Sequence, residues 1–511
     1  MAGDPLAAFC ARRWRVTAVI CAASVLQATT LGSSVLIDGL NATFNEPQER
    51  FAFHGLYAKV LSLLVANIVA GQLLLWFARH PRMKEPVCAV GVFLPSIGLL
   101  VSGVGATLCD VFGRGSPGGV TLLYLGMTCL FGSGQGVLEL ATCYWGLLYW
   151  DLSGEKGRGV GLFGGALGVG AIFWTLSSLW LITSTTVAGT LYAMAAMQAV
   201  MAVPLAWSVR TGLLSSPPSQ DEYDVWSGAS KSPDSAPPPA VQAGLRAAGT
   251  SALFPEKVSS TVTMLTRPVA HLQLVCGMIT AFVGYATKTL MSTMLIVIFD
   301  LTLTQAGYYS AAALVLFAAG RFSIPFFLID RIQGNASLVI RGASQLGTAG
   351  LFVALPFLAN ADNAAGFITV KSFSGLLFAV SATVSGSSKC THACLRACAQ
   401  SLLICAYCLT HLLYVPVGLS IFGGASLAAI MIPGWLTFGM AGAAGPIVAY
   451  CVSQQHVYEG KPTDDSYDAY FFGAAAASFA NFLVILAMGA LEIAAERREQ
   501  RQIANRTQRA V

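Results

Sequence analysis

The chain has 511 residues, 55% of them hydrophobic and only 10% charged. Soluble domains carry about 25% charged residues, so the composition argues against a water-soluble class. The net charge of +5 sits in short loops beside apolar runs, which gives no reason to expect nucleic acid as a partner.

Runs near the roughly 20 residues that cross a bilayer recur along the whole length. They predict an all-α polytopic protein, integral and multi-pass, in the plasma membrane or an organellar membrane. Residues 1–15 carry Arg12, Arg13 and Arg15 ahead of the first run. That run is too long for the core of a signal peptide and lacks a small-residue cleavage site, so it reads as the first span. Six spans are predicted at 16–37, 57–77, 87–108, 120–148, 159–182 and 187–209, forming an N-terminal lobe over 16–209. Arg79, Arg82, Lys84, Lys156 and Arg158 fall in loops on one side. On the other side, loops 38–49 and 110–119 are at least as acidic as basic. The bias of Lys and Arg toward the cytoplasm places both termini and the basic loops inside. Asn41-Ala-Thr43 then reads as a glycosylation sequon in an outward loop.

Residues 210–266 hold Pro217-Pro218, the acidic Asp221-Glu-Tyr-Asp224 and Pro237-Pro-Pro239. A segment so poor in apolar residues is predicted to be a disordered cytoplasmic linker. Six spans, a linker and further spans make the layout of a two-lobed protein.

The second lobe, 267–493, carries apolar stretches at 269–299, 306–328, 338–358, 364–384, 397–422, 425–451 and 470–490, with a basic cytoplasmic tail at 494–511. Loop 458–468 has Lys461 against Glu459, Asp464, Asp465 and Asp468, which places it outside. An inward tail and an outward loop require an even number of spans, about twelve, so one of the thirteen stretches does not cross. The segment about 387–419 is the exception expected, with Cys390, Cys394, Cys398, Cys405 and Cys408 close together. It reads as an insertion at the membrane surface or as a translated intervening sequence. Its spacing fits zinc poorly, so no metal and no cofactor are expected.

A charge at the centre of a membrane helix costs roughly 2.5–3.5 kcal/mol on insertion scales, so buried ionisable residues are functional candidates. They are Glu139, Lys288 and Arg321, with Lys59 near an outer end. Gln27, Asn67 and Tyr285 offer polar company, and these three with Lys288 and Arg321 form the expected solute-binding set. The competing reading of Arg321 is a structural one, snorkelling or tying two helices together. Desolvation favours a protonated carboxyl, so Glu139 is a candidate proton carrier; its alternative is a structural hydrogen bond or ion pair. Asp330 and Arg331, where the eighth span meets water, form a candidate gating pair. The glycines from Gly157 to Gly170 allow close helix approach, as a sliding surface or as plain tight packing. No catalytic constellation is present, so no enzyme is expected.

Three places resemble the major facilitator superfamily, nearest its monocarboxylate-transporter and oxalate–formate-antiporter branch. They are Ser33 to Asn45 leaving span one, residues 122–170 with their glycine pattern, and Gly320-Arg321 through Asp330-Arg331-Ile332. The likeness covers about 14–360. It implies two six-helix lobes around a central cavity and an arginine, carried over to Arg321, that binds a substrate carboxylate. Three departures stand out: Arg321 to Asp330 is one residue longer than usual, Gly71 to Arg79 lacks the family's aspartate, and the span-one lysine is absent. The expected activity is alternating-access transport of a small organic solute, foremost a monocarboxylate or related organic anion, with proton coupling as an option. The alternatives are a facilitator of a neutral sugar or amino acid, and a non-transporting receptor or scaffold of the same fold.

Overall fold

A computed structural model describes residues 5–45, 53–80, 83–139, 150, 156–210, 268–329, 336–384, 439–454 and 465–510. Among them every regular element is helical. This is what hydrocarbon demands, since a helix satisfies its backbone hydrogen bonds within itself. In the first lobe α1 (Pro5–Gln27) passes through a 3₁₀ turn at Ser33–Val35 into α2 (Leu36–Phe44). Next come α3 (His54–Arg79), α4 (Leu94–Phe112), and α5 (Pro117–Leu123), which runs on as a π-helix over Tyr124–Phe131. Helices α6 (Lys156–Ser184) and α7 (Val187–Arg210) complete that lobe. The second lobe holds α8 (Pro268–Thr289), α9 (Met291–Phe299), α10 (Leu303–Ile324), α11 (Ala336–Asn360) and α12 (Ala364–Val384). Residues 439–454 form α13, and α14 covers Asp468–Ala510.

Nine helices among the described residues are long and apolar enough to cross a membrane, and α8 with α9, bent by 60° at their junction, are long and apolar enough only when taken together. The protein is an integral multi-pass membrane protein. Every predicted apolar stretch except 397–422 contributes at least one described helix. Linker 210–266, the cysteine-rich segment 387–419 and the pair Asp330-Arg331 lie outside the described residues.

Two junctions show how local chemistry sets the path. Between α9 and α10, Asp300 takes a left-handed φ of 50°. Thr302 then accepts from the Gln305 N–H while the Gln305 side chain returns to the Thr302 N–H. This reciprocal capping satisfies two orphan donors of the new helix. The N-terminus of α3 is capped from outside itself: Asn45 Oδ1 accepts from the His54 N–H at 3.0 Å and Asn41 Oδ1 from the Leu56 N–H at 3.1 Å. This corrects the expected glycosylation site. Asn41 is buried on α2 with its amide nitrogen enclosed, and a side chain committed to closing a helix end is not offered to a glycan.

The glycine run of span five faces the other lobe. Gly161, Gly164 and Gly168 of α6 lie against Phe322 and Phe326, the Arg321 backbone and Ala318 of the segment running from α10 to Phe326. A methyl group at Gly168 would come within 2.5 Å of the Ala318 Cα, and backbone cannot swing aside. Overpacking of this kind costs typically 1–3 kcal/mol. Gly168→Ala is therefore expected to lower the melting temperature of detergent-purified protein by several degrees. Gly350→Ala, which meets nothing within 4 Å, is the reference, and equal melting of the two variants would refute the contact.

Candidate solute-binding site

Three helices of the second lobe bring cations together. Lys288 stands near the end of α8, Arg321 near the end of α10, and Lys371 eight residues into α12. Phe317 and Arg321 are one helical turn apart, so they share a face of α10. The Lys288 ammonium lies 3.3 Å from the centroid of the buried Phe317 ring and 4.0 Å from that of Phe378. The Arg321 guanidinium is 4.9 Å from the same Phe317 ring. Phe378 reaches Lys288 because Gly284 carries no side chain: a Cβ there would lie inside the Phe378 ring. Arg321 is 5% exposed and Lys288 half-buried. An aromatic face attracts a desolvated cation by about 2 kcal/mol or more, which helps to hold these charges in place.

Lys371 is also 5% exposed. Its ammonium is 4.7 Å from the Phe352 ring and 5.8 Å from that of Phe471, with no hydrogen-bond partner among the described residues. Lys288, Lys371, Phe317, Ser310 and Ser374 line a small open cavity, and Ser34 from the first lobe borders it. Arg321 shares the Phe317 ring but is not itself part of that lining.

The structure thus unites Lys288 and Arg321 of the expected set, and Tyr285 acts electrostatically on Arg321. Asn67 is buried on α3, donates to the Leu63 carbonyl at 2.6 Å, and sits beside Gly439 of α13. Gln27 and Glu139 are buried within the first lobe, 8% and 2% exposed. None of these three lines the cavity. Two buried cations were not anticipated, Lys371 and Arg341, the latter 2% exposed on α11. A single lysine between Val370 and Ser372 in an otherwise uncharged run was the available signal for Lys371.

Toward the mouth expected to face outward, the lobes touch through polar and aromatic groups. Thr293 of α9 donates to both carboxylate oxygens of Asp38 at 3.2 Å. Asp38 lies just beyond the first span; burial raises its carboxyl to about 6, and the Thr293 bond opposes the rise. Ser34 and Ser292 hydroxyls are 3.5 Å apart, and Ser292 pairs in turn with Ser310 at 3.0 Å. Phe53 of the first lobe meets Tyr450 of α13 edge-on, with centroids 4.5 Å apart.

Solved structures share this architecture. The E. coli xylose transporter XylE, in a partially occluded inward-open conformation, superposes with a TM-score of 0.57 at 15% identity, over 93% of this chain and 99% of that one. The E. coli fucose:proton symporter FucP gives 0.51 at 14% identity, over 93% and 98%. The chain has the major facilitator fold. The human organic anion transporter MFSD10 also matches, with a TM-score of 0.51 at 14% identity over 93% and 99%. No protein-family model matches the sequence, and no curated protein matches it. In the major facilitator fold two lobes flank a central cavity, and the cavity described above is lined by Ser34 of one lobe and by Lys288 and Lys371 of the other.

Proposed function

We propose that the protein is a transporter carrying a small organic anion, a monocarboxylate or related species, by alternating access. The observation that carries this reading is the convergence of Lys288 and Arg321 on one buried ring beside a cavity bordered by both lobes. Two cations gathered on one buried ring repel each other, and an anion that enters the adjoining cavity relieves that repulsion. A sugar would be held by hydroxyls and amides and would leave that repulsion in place. The neighbours' descriptions name sugars for two and organic anions for one, so the fold alone favours neither. In this proposal Gln27, Asn67 and Tyr285, which lie outside the cavity lining, reach the solute as the lobes move, Asp330 and Arg331 take part in gating, and Glu139 carries a coupled proton. Linker 210–266 joins the lobes on the cytoplasmic side.

The test is uptake of labelled lactate, xylose and alanine into proteoliposomes, with and without an inward proton gradient. Lactate is expected to enter, faster with the gradient. Glu139→Gln keeps the shape while removing the titrating group, and should retain uptake but lose the gradient's effect. Xylose or alanine uptake without lactate uptake would support the neutral-solute alternative, and no uptake of any of the three would support a receptor or scaffold.

A further inference from the structure

The third cation of the second lobe deepens the anion-transporter reading, on which its own assignment rests. We infer that Lys371 is a second anion anchor, and that the solute is a dianion with separated charges, of the dicarboxylate class. One carboxylate is held by Lys288, with Arg321 beside it on the Phe317 ring, and the other by Lys371.

Lys371 is too deep to be explained by snorkelling. It lies about 10.5 Å from the start of α12 at 1.5 Å per residue, and its ammonium is enclosed by Phe352 of α11 and Phe471 of α14. It lines the same cavity as Lys288, its ammonium has no hydrogen-bond partner among the described residues, and no carboxylate is in that lining. Both Arg321 and Lys371 act electrostatically on Lys288. Like charges gathered in a low-dielectric site repel strongly, and the two lysines that line this cavity are matched one for one by an anion with two negative charges. The placement of the charges selects between kinds of dianion. Lys288 and Arg321 share Phe317, whereas Lys371 is held by a different pair of rings. Two anchoring places fit an anion with a charge at each end better than one with both charges on a single atom's oxygens. Ser310 and Ser374 hydroxyls in the same lining can donate to the remaining carboxylate lone pairs.

The experiment measures ligand-induced thermal stabilisation of the purified full-length protein, with competition against labelled lactate in proteoliposomes. The probes are succinate, lactate, inorganic phosphate and sulfate. Wild-type protein is expected to bind succinate at least tenfold more tightly than lactate, and more tightly than phosphate or sulfate. Lys371→Gln should lower the succinate-to-lactate affinity ratio at least tenfold, while Lys371→Arg, keeping the charge, should hold it within threefold. An unchanged ratio in Lys371→Gln, a wild-type preference for lactate, or a preference for phosphate or sulfate would each overturn the inference. Should Lys371→Gln fail to reach the membrane, the wild-type ranking still decides. Wild-type affinity for both succinate and lactate in Arg321→Gln would sink the anion reading as a whole. Loss of both there, with an unchanged ratio at Lys371, would sink only the dianion assignment.

Discussion

Arg321→Gln is expected to insert normally and to lose anion uptake. Its guanidinium is the one permanent charge among the cations around Phe317, and its planar fork can give a carboxylate two parallel hydrogen bonds. Truncating one partner of a buried, hydrogen-bonded charge pair costs about 2–5 kcal/mol. At 1.4 kcal/mol per tenfold, that is a loss of roughly thirtyfold or more in apparent affinity. Insertion should survive because glutamine is far cheaper to bury than arginine and because the change relieves repulsion on Lys288. Arg321→Lys keeps the charge but replaces the fork by a point donor, so uptake should fall between wild type and Arg321→Gln. The measurement is initial uptake rate against solute concentration, normalised to protein in the membrane. Wild-type KM for an anion in Arg321→Gln would make Arg321 a structural residue held by the Phe317 ring.

How much of this was legible in the chain varies with the range of the interaction. Spans were legible because crossing hydrocarbon needs a long apolar run, a one-dimensional signal that neighbours do not alter. The bend between α8 and α9 was not: it falls at Thr289-Leu290-Met291, where neither proline nor glycine marks a break, and sequence alone reads one continuous run. The glycines of α6 announced close approach, but only the packed structure shows that the partner is α10 of the other lobe. Asn41 misled for the opposite reason. A sequon is a local tripeptide pattern, indifferent to whether its amide is spent capping the next helix. Arg321 and Lys288 stood out because each interrupts an apolar helix, and Lys371 interrupts one equally. It escaped notice among the uncertain stretches of the second lobe, although its burial matches that of Arg321.

The contacts at the mouth expected to face outward carry the other large expected effect. In the proposed alternating-access cycle the lobes part there, and the polar and aromatic contacts among the described residues are individually weak: one shared hydrogen bond to Asp38, a serine pair and an aromatic edge contact. Each such bond contributes a net 0.5–1.5 kcal/mol, so solute binding can tip the balance between closed and open. A covalent link cannot be tipped. The Ser34 and Ser292 side chains already meet across the lobes, with oxygens 3.5 Å apart, so the paired substitution Ser34→Cys with Ser292→Cys should cross-link the lobes under mild oxidant. With a protease site introduced in linker 210–266, cleaved protein should run as one species without reductant and as two with it. Uptake should drop to background on oxidation and return on reduction, whereas oxidising either single variant should change its own uptake little. A cross-link that forms while uptake continues would show that the lobes need not separate at this mouth. Failure to form the link in the oxidised pair would show that this closed arrangement is not one the protein visits.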